Sequence, residues 1–94
     1  MSEVHLTGQL LCATEDEADC VVDNLPAHIA LTRAESGCLL FTVDRTSDPM
    51  IWEVTERFTD ETAFKAHQAR VQASDWGRAT AGIERRYSIV GLAH

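Results

Sequence analysis

Cys38-Leu39-Leu40-Phe41-Thr42-Val43-Asp44 is an almost unbroken apolar run. Such a run predicts a strand covered on both faces and not wetted on one. Arg45-Thr46-Ser47-Asp48-Pro49 supplies turn chemistry directly after it. Met50 to Phe58 then alternates as the returning strand of a hairpin, with Trp52, Val54 and Phe58 sharing a face with Glu56. A hairpin at mid-chain leaves the question of what flanks it.

On the N-terminal side, residues 5–13 alternate partly and read as a first strand. Thr14-Glu15-Asp16-Glu17 fits a capping box, with the Thr14 hydroxyl accepting from the Glu17 amide and the Glu17 carboxylate reaching back to the amide of Thr14. Ala18, Val21, Val22, Leu25 and Ile29 then mark one helical stripe running to about Glu35, with Gly37 as the residue that ends the helix. Pro26 interrupts this pattern, because it has no N–H to donate to the Val22 carbonyl. A kink or break is expected there, with Asp23 or Asn24 capping a second segment whose apolar row is Ala27, Leu31 and Ala34.

On the C-terminal side, Thr59 or Asp60 can cap a helix that carries Phe64, His67 and Val71 on one side. Ser74-Asp75-Trp76-Gly77 suggests one more helical turn, and residues 83–92 read as a last strand. The order β-α-β-β-α-β predicts an α+β, ferredoxin-like single domain spanning 1–94. Its four-stranded antiparallel sheet carries both helices on one face. The other face would be left open. Hiding several large side chains there, at about 25 cal/mol per Å², favours a homodimer that pairs sheet to sheet.

Composition narrows the function. Fifteen acids against eight bases give a net charge of −7, with no basic stripe to neutralise phosphates, so nucleic acid and anionic membrane surfaces are poor partners. The start Met1-Ser2-Glu3-Val4-His5 lacks the pattern of a secretory signal, so a cytoplasmic location is expected. Cys12, Cys20 and Cys38 are odd in number and lack paired spacing, which predicts buried thiols over a disulfide framework or zinc site. His5 and His94, near the chain ends, are expected to be exposed. The chain also lacks a Gly-x-Gly-x-x-Gly fingerprint, a phosphate-cradling loop, His-x-x-x-His spacing and a Gly-x-Ser-x-Gly elbow. No flavin, nicotinamide or metal cofactor is therefore expected.

The run Arg33-Ala34-Glu35-Ser36-Gly37-Cys38-Leu39-Leu40-Phe41 resembles the Arg-x-Glu-x-Gly-Cys-Leu-x-Phe/Tyr signature of antibiotic biosynthesis monooxygenase domains. Trp52 to Asp60, followed by Ala63-Phe64-Lys65-Ala66-His67, is similar to a second segment of that family. The resemblance covers essentially the whole chain. It implies a dimeric α+β barrel and cofactor-independent oxidation of small aromatic, quinol-like or polyketide-like substrates. Other members on this fold degrade or bind haem or act as isomerases, so a non-catalytic small-ligand or haem-binding dimer and an isomerase are the alternatives.

His67 is the first candidate for the chemistry, since a neutral imidazole on an inward stripe can accept a phenolic proton. Glu56 is the second, as a buried carboxylate that orients His67 or binds a substrate hydroxyl; the competing reading is an ion pair with Arg85 or Arg86. Trp52, Phe41, Phe58, Phe64, Trp76 and Tyr87 could line a pocket for an aromatic small molecule, with His28 at its mouth. For each of the six Phe, Trp and Tyr rings the plainer reading is core, and for His28 it is a surface or half-buried position.

Overall fold

A computed structural model of the chain describes residues 2–92, so the expectation for His94 lies outside the described residues. The elements are β1 (Val4–Leu11), α1 (Glu15–Arg33), β2 (Cys38–Arg45), β3 (Ile51–Phe58), α2 (Glu61–Gln72), α3 (Asp75–Ala79) and β4 (Glu84–Val90). The strands form one antiparallel sheet in the order β2-β3-β1-β4, the ferredoxin-like arrangement that the sequence predicts. On the helix-covered face Val4, Leu6 and Leu10 of β1, Phe41 and Val43 of β2, and Trp52, Val54, Glu56 and Phe58 of β3 are buried, while most of their alternates face outward.

Within the single chain β2 is covered on one face only. It is an edge strand, and a register shift between Cys38 and Leu40 leaves Leu39 47% and Leu40 37% exposed. Only Phe41 and Val43 turn into the core. At the opposite edge Ile89 and Val90 of β4 are also exposed. The uncovered apolar surface thus sits at the two sheet edges, while the middle of the open face carries Thr7, Gln9, Glu53 and Thr55.

α1 corrects the sequence reading twice. It is one continuous helix through Pro26, so neither Asp23 nor Asn24 acts as a second cap. Pro26 lies on the exposed side, where the Val22 carbonyl it leaves without a donor can turn to water, and Asn24 Nδ2 donates instead to the Cys20 carbonyl at 2.8 Å. The apolar row is not reset either. The buried stripe runs straight on as Ala18, Val21, Leu25, His28 and Thr32, while Val22 and Leu31 face out. The start is capped as foreseen by Thr14, which accepts from Glu17 N at 3.1 Å, although the Glu17 carboxylate takes the amide of Ala13, one residue before the expected one.

Gly37 also plays a different part. Its φ is not positive, so it is no left-handed terminator; a Cβ there would lie 2.3 Å from the Ala63 Cβ, and its value is close approach to α2. α2 is capped by Asp60, whose Oδ1 accepts from Ala63 N at 2.8 Å, and α3 by Ser74. Of the free thiols only Cys12 is buried; Cys20 and Cys38 are half-buried. Among the described residues no helix is long and apolar enough to cross a membrane.

Candidate active site

The second turn of α2 turns His67 inward, where the ring is 3% exposed. Its surroundings come from three layers. From the loop after α1, Glu35 Oε1 lies 2.9 Å from Nδ1, and since a carboxylate only accepts, Nδ1 carries the proton and donates it. The other oxygen of Glu35 accepts from Arg70 Nε at 2.5 Å, and Arg70 Nη2 donates to Thr32 Oγ1 at 2.9 Å. Glu35, Arg70 and Thr32 therefore fix one tautomer of the imidazole, leaving Nε2 with a free lone pair.

Nε2 looks toward β3, where Glu56 Oε1 stands 3.7 Å away. That separation is too long for a hydrogen bond, and Oε1 is buried without a partner. The ion pair with Arg85 or Arg86 does not form. Arg85 holds the Thr80 carbonyl and hydroxyl, and Arg86 pairs with Glu84. Burial first, and the Glu35 charge second, push the Glu56 carboxyl up to about 7. Burial lowers His67, an effect the Glu35 hydrogen bond opposes. At neutral pH the site thus sets a neutral imidazole beside a carboxyl that burial has raised into the neutral range.

Both groups border a hollow of about 50 Å³ between sheet and helices, with Tyr87, 36% exposed, on its rim. Phe41, Trp76 and Tyr87 line it too, and so does His28, which is buried and not at the surface or half-buried position that the sequence suggests. Burial pushes the Tyr87 phenol up to about 12, which keeps it a donor at neutral pH. Its ring has room because residue 8 is glycine: a Cβ there would meet Tyr87 Cδ1 at 2.6 Å. The His28 imidazole stacks on the Trp76 indole with centroids 4.4 Å apart, and desolvation lowers it to about 3, so it stays neutral.

Three of the expected lining residues lie elsewhere. Trp52 sits opposite Leu10, toward the far end of β3, with the Arg45 guanidinium 4.7 Å from its ring. Phe58 backs the His67 ring at 4.8 Å, and Phe64 packs edge-on against Phe58 at 5.8 Å. They support the imidazole without bordering the hollow. Glu35 and Arg70 went unassigned in the sequence reading, although Glu35 lies inside the signature run and Arg70 follows His67 by one helical turn. Among the described residues no group of three His, Cys, Asp or Glu side chains is placed to hold a metal.

The profile of the antibiotic biosynthesis monooxygenase family matches residues 8–79, and the chain belongs to that family. No curated protein sequence matches it significantly. Among solved structures it is similar to SnoaB, a cofactor-independent oxygenase from Streptomyces nogalater, with a TM-score of 0.79 at 14% identity, covering 100% of this chain and 96% of that one. It is also similar to PA3566 from Pseudomonas aeruginosa, with a TM-score of 0.77 at 19% identity over 100% of this chain and 97% of that one. Rv0793 from Mycobacterium tuberculosis gives 0.74 at 19% identity over 99% and 97%. At these identities the likeness carries the fold, and the chemistry has to be argued from the site.

Proposed function

We propose that the protein is a cofactor-independent monooxygenase of small, electron-rich aromatics of the hydroquinone or anthrone type. The observation that carries this reading is His67, with Nδ1 tied to Glu35 at 2.9 Å and Nε2 left free 3.7 Å from a buried, unpartnered carboxyl oxygen of Glu56. A phenolic oxygen in contact with both can give its proton to Nε2 while accepting a hydrogen bond from the neutral form of Glu56, which keeps its own proton. The resulting phenolate gives one electron to dioxygen, and the radical pair combines to a hydroperoxide. The peroxide takes back the proton held on His67, and loss of water then leaves a carbonyl. In an anthrone one ring CH2 and O2 become C=O and H2O, and in a hydroquinone the same sequence at a ring C–H gives a hydroxyquinone and H2O. His67 is the base, Glu35 its positioning residue and Glu56 the donor that stabilises the phenolate. Phe41 and His28 offer aromatic surface to the substrate ring.

The catalytic unit is proposed to be a homodimer, because Leu39, Leu40, Ile89 and Val90 leave large apolar side chains open at the sheet edges. Sedimentation at micromolar concentration is expected to give twice the mass of the chain; a lone protomer there overturns this part. For the chemistry, oxygen uptake with a panel of hydroquinones and anthrones is expected, with kcat lowered about 10²- to 10⁴-fold in His67→Ala. Absence of uptake above the buffer rate, or full activity in His67→Ala, would sink it. Turnover that persists without oxygen would favour the isomerase that the same proton shuttle could serve.

A further inference from the structure

The hollow beside His67 is too small for the ligand proposed for it. A cavity of roughly 150 Å³ is needed for a single benzene, and the hollow has about 50 Å³. Beside it lies a second, open space of about 340 Å³, a groove between α1 and the α2–α3 corner. Asp23, Ala27 and Leu31 line one wall of the groove, and Arg70 and Arg78 the other. Two residues border both spaces, His28 of α1 and Trp76 of α3.

These two rings meet face to face across the boundary, 4.4 Å between centroids and 2° from parallel. The backbone under Trp76 is held firmly. Ser74 Oγ accepts from Gly77 N at 3.0 Å, and Thr80 Oγ1 donates to the Trp76 carbonyl at 2.6 Å. Arg85 Nη2 in turn donates to Thr80 Oγ1 at 2.7 Å. Gly77 packs so near α2 that a Cβ would lie 2.0 Å from the Val71 carbonyl oxygen. The helix that carries Trp76 is thus tied in place, and any opening of this boundary has to come from rotation of the indole about its side-chain torsions. Two nitrogens here are buried and without a partner, His28 Nδ1 and Arg70 Nη1. Each is costly to leave unpaired, and an oxygen-bearing ligand can satisfy it.

We propose that the groove is the ligand port of the His67 hollow and that the His28–Trp76 stack is its door: a planar aromatic of two or three fused rings, bearing hydroxyl or carbonyl oxygens, displaces the indole and stacks on the His28 imidazole in its place. This rests on the reading of His67 as the group the ligand reaches. The exchange replaces one ring stack with another and joins the two spaces, and the ligand's fused rings have to make up for the core contacts of an indole that is 5% exposed. The ligand's reacting edge then lies beside His67 and its far ring in the groove, within reach of Arg70. Ligands of a single ring gain less from the groove and are expected to bind more weakly than their fused counterparts.

The test uses the whole protein labelled with 5-fluorotryptophan and titrated with 2-naphthol without oxygen. The two fluorine resonances are assigned through Trp52→Phe and Trp76→Phe. Saturation is expected to move the Trp76 signal to a solvent-exposed shift, leave Trp52 in place and perturb the His67 ring nitrogens. Ala27→Trp, a surface change that fills the groove, is expected to weaken binding about tenfold or more. Perturbation of His67 with Trp76 still buried, or unchanged affinity in Ala27→Trp, overturns the door and leaves the proposed chemistry standing. A responding Trp76 in a protein that consumes no oxygen with any hydroquinone upholds the door and sinks the oxygenase. Silence at both rings up to the solubility of 2-naphthol overturns the port.

Discussion

Two carboxylates approach the same imidazole from opposite layers, and they sit in different physical worlds. Glu35, on the loop after α1, keeps a side-chain exposure of 22%, shares a hydrogen-bonded ion pair with Arg70 and receives the Nδ1 proton of His67. Glu56, on β3, is 6% exposed, has an oxygen without a partner and is pushed up to about 7. Compensating charge is what separates them. A carboxylate with a guanidinium beside it can stay charged and orient a base, whereas one buried without a cation holds its proton to higher pH and can act as a donor. One histidine can then work between an anion behind it and an acid in front.

The largest effect expected follows from removing the anion. Glu35→Ala strips His67 of its tautomer-fixing partner and Arg70 of its counter-ion, so kcat should fall about 10³-fold. The His67 pKa, which the Glu35 hydrogen bond raises against burial, should fall further. Glu35→Gln keeps an acceptor for Nδ1 and should recover a large part of the rate. A ring-nitrogen NMR titration together with steady-state kinetics checks both; a Glu35→Ala enzyme with unaltered tautomer and rate would erase the distinction between the two carboxylates.

Next in size is a stability effect whose sign depends on pH. The folded-state pKa of Glu56 is raised from 4.5 to about 7, so between those values the folded protein holds a proton that the unfolded chain releases. Stability from this group is therefore undiminished below about pH 4.5 and declines as pH rises through 7. Glu56→Gln removes that decline. The variant should match the wild type near pH 4.5 and exceed it by on the order of 3 kcal/mol above pH 8. His28, lowered from 6.5 to about 3, acts on the other flank: the unfolded chain takes the proton first, so stability falls on acidification below pH 6.5 in both proteins. Urea unfolding at pH 5 and pH 8 gives the difference, and equal midpoint gaps at the two values would mean that Glu56 is charged throughout.

The same contrast explains what the sequence revealed and what it hid. Strand and helix order, the Thr14 and Asp60 caps and the inward turn of His67 follow from local periodicity and hydrogen-bonding chemistry, which short stretches carry in full. The course of α1 past Pro26 did not, because the buried stripe there is polar: His28 and Thr32 occupy inward positions that hydropathy assigns to Ala27 and Leu31. Polar residues are accommodated on that stripe because each has a contact inside, His28 stacking on Trp76 and Thr32 receiving Arg70. Glu35 was hidden for a related reason. Its partner lies 32 residues away, and a contact of that separation leaves no spacing signal in a single sequence. Glu56 was visible by alternation on β3, but its lack of a cation could be seen only once Arg85 and Arg86 were placed.

The smallest effect concerns how the loop bearing Glu35 is held at its distance. Gly37 lies two residues beyond Glu35 and lets the loop sit against Ala63 on α2, the helix that also carries His67 and Arg70. Gly37→Ala places a methyl 2.3 Å from the Ala63 Cβ, so either the loop lifts or α2 shifts, at a cost of about 1–3 kcal/mol. Lifting the loop would lengthen the Glu35–His67 contact and loosen the tautomer, a weaker version of Glu35→Ala. The compensating change is Ala63→Gly, which removes the opposing methyl and by itself costs about 1 kcal/mol within a helix. In the double variant the steric part of the Gly37→Ala cost should disappear and the His67 nitrogen shifts should return to those of the wild type. A Gly37→Ala penalty that is the same with and without Ala63→Gly would place its origin in the loop backbone and not in the approach of loop to helix. The anion's position would then need another anchor, of which the Arg70–Thr32 bond at 2.9 Å is the nearest.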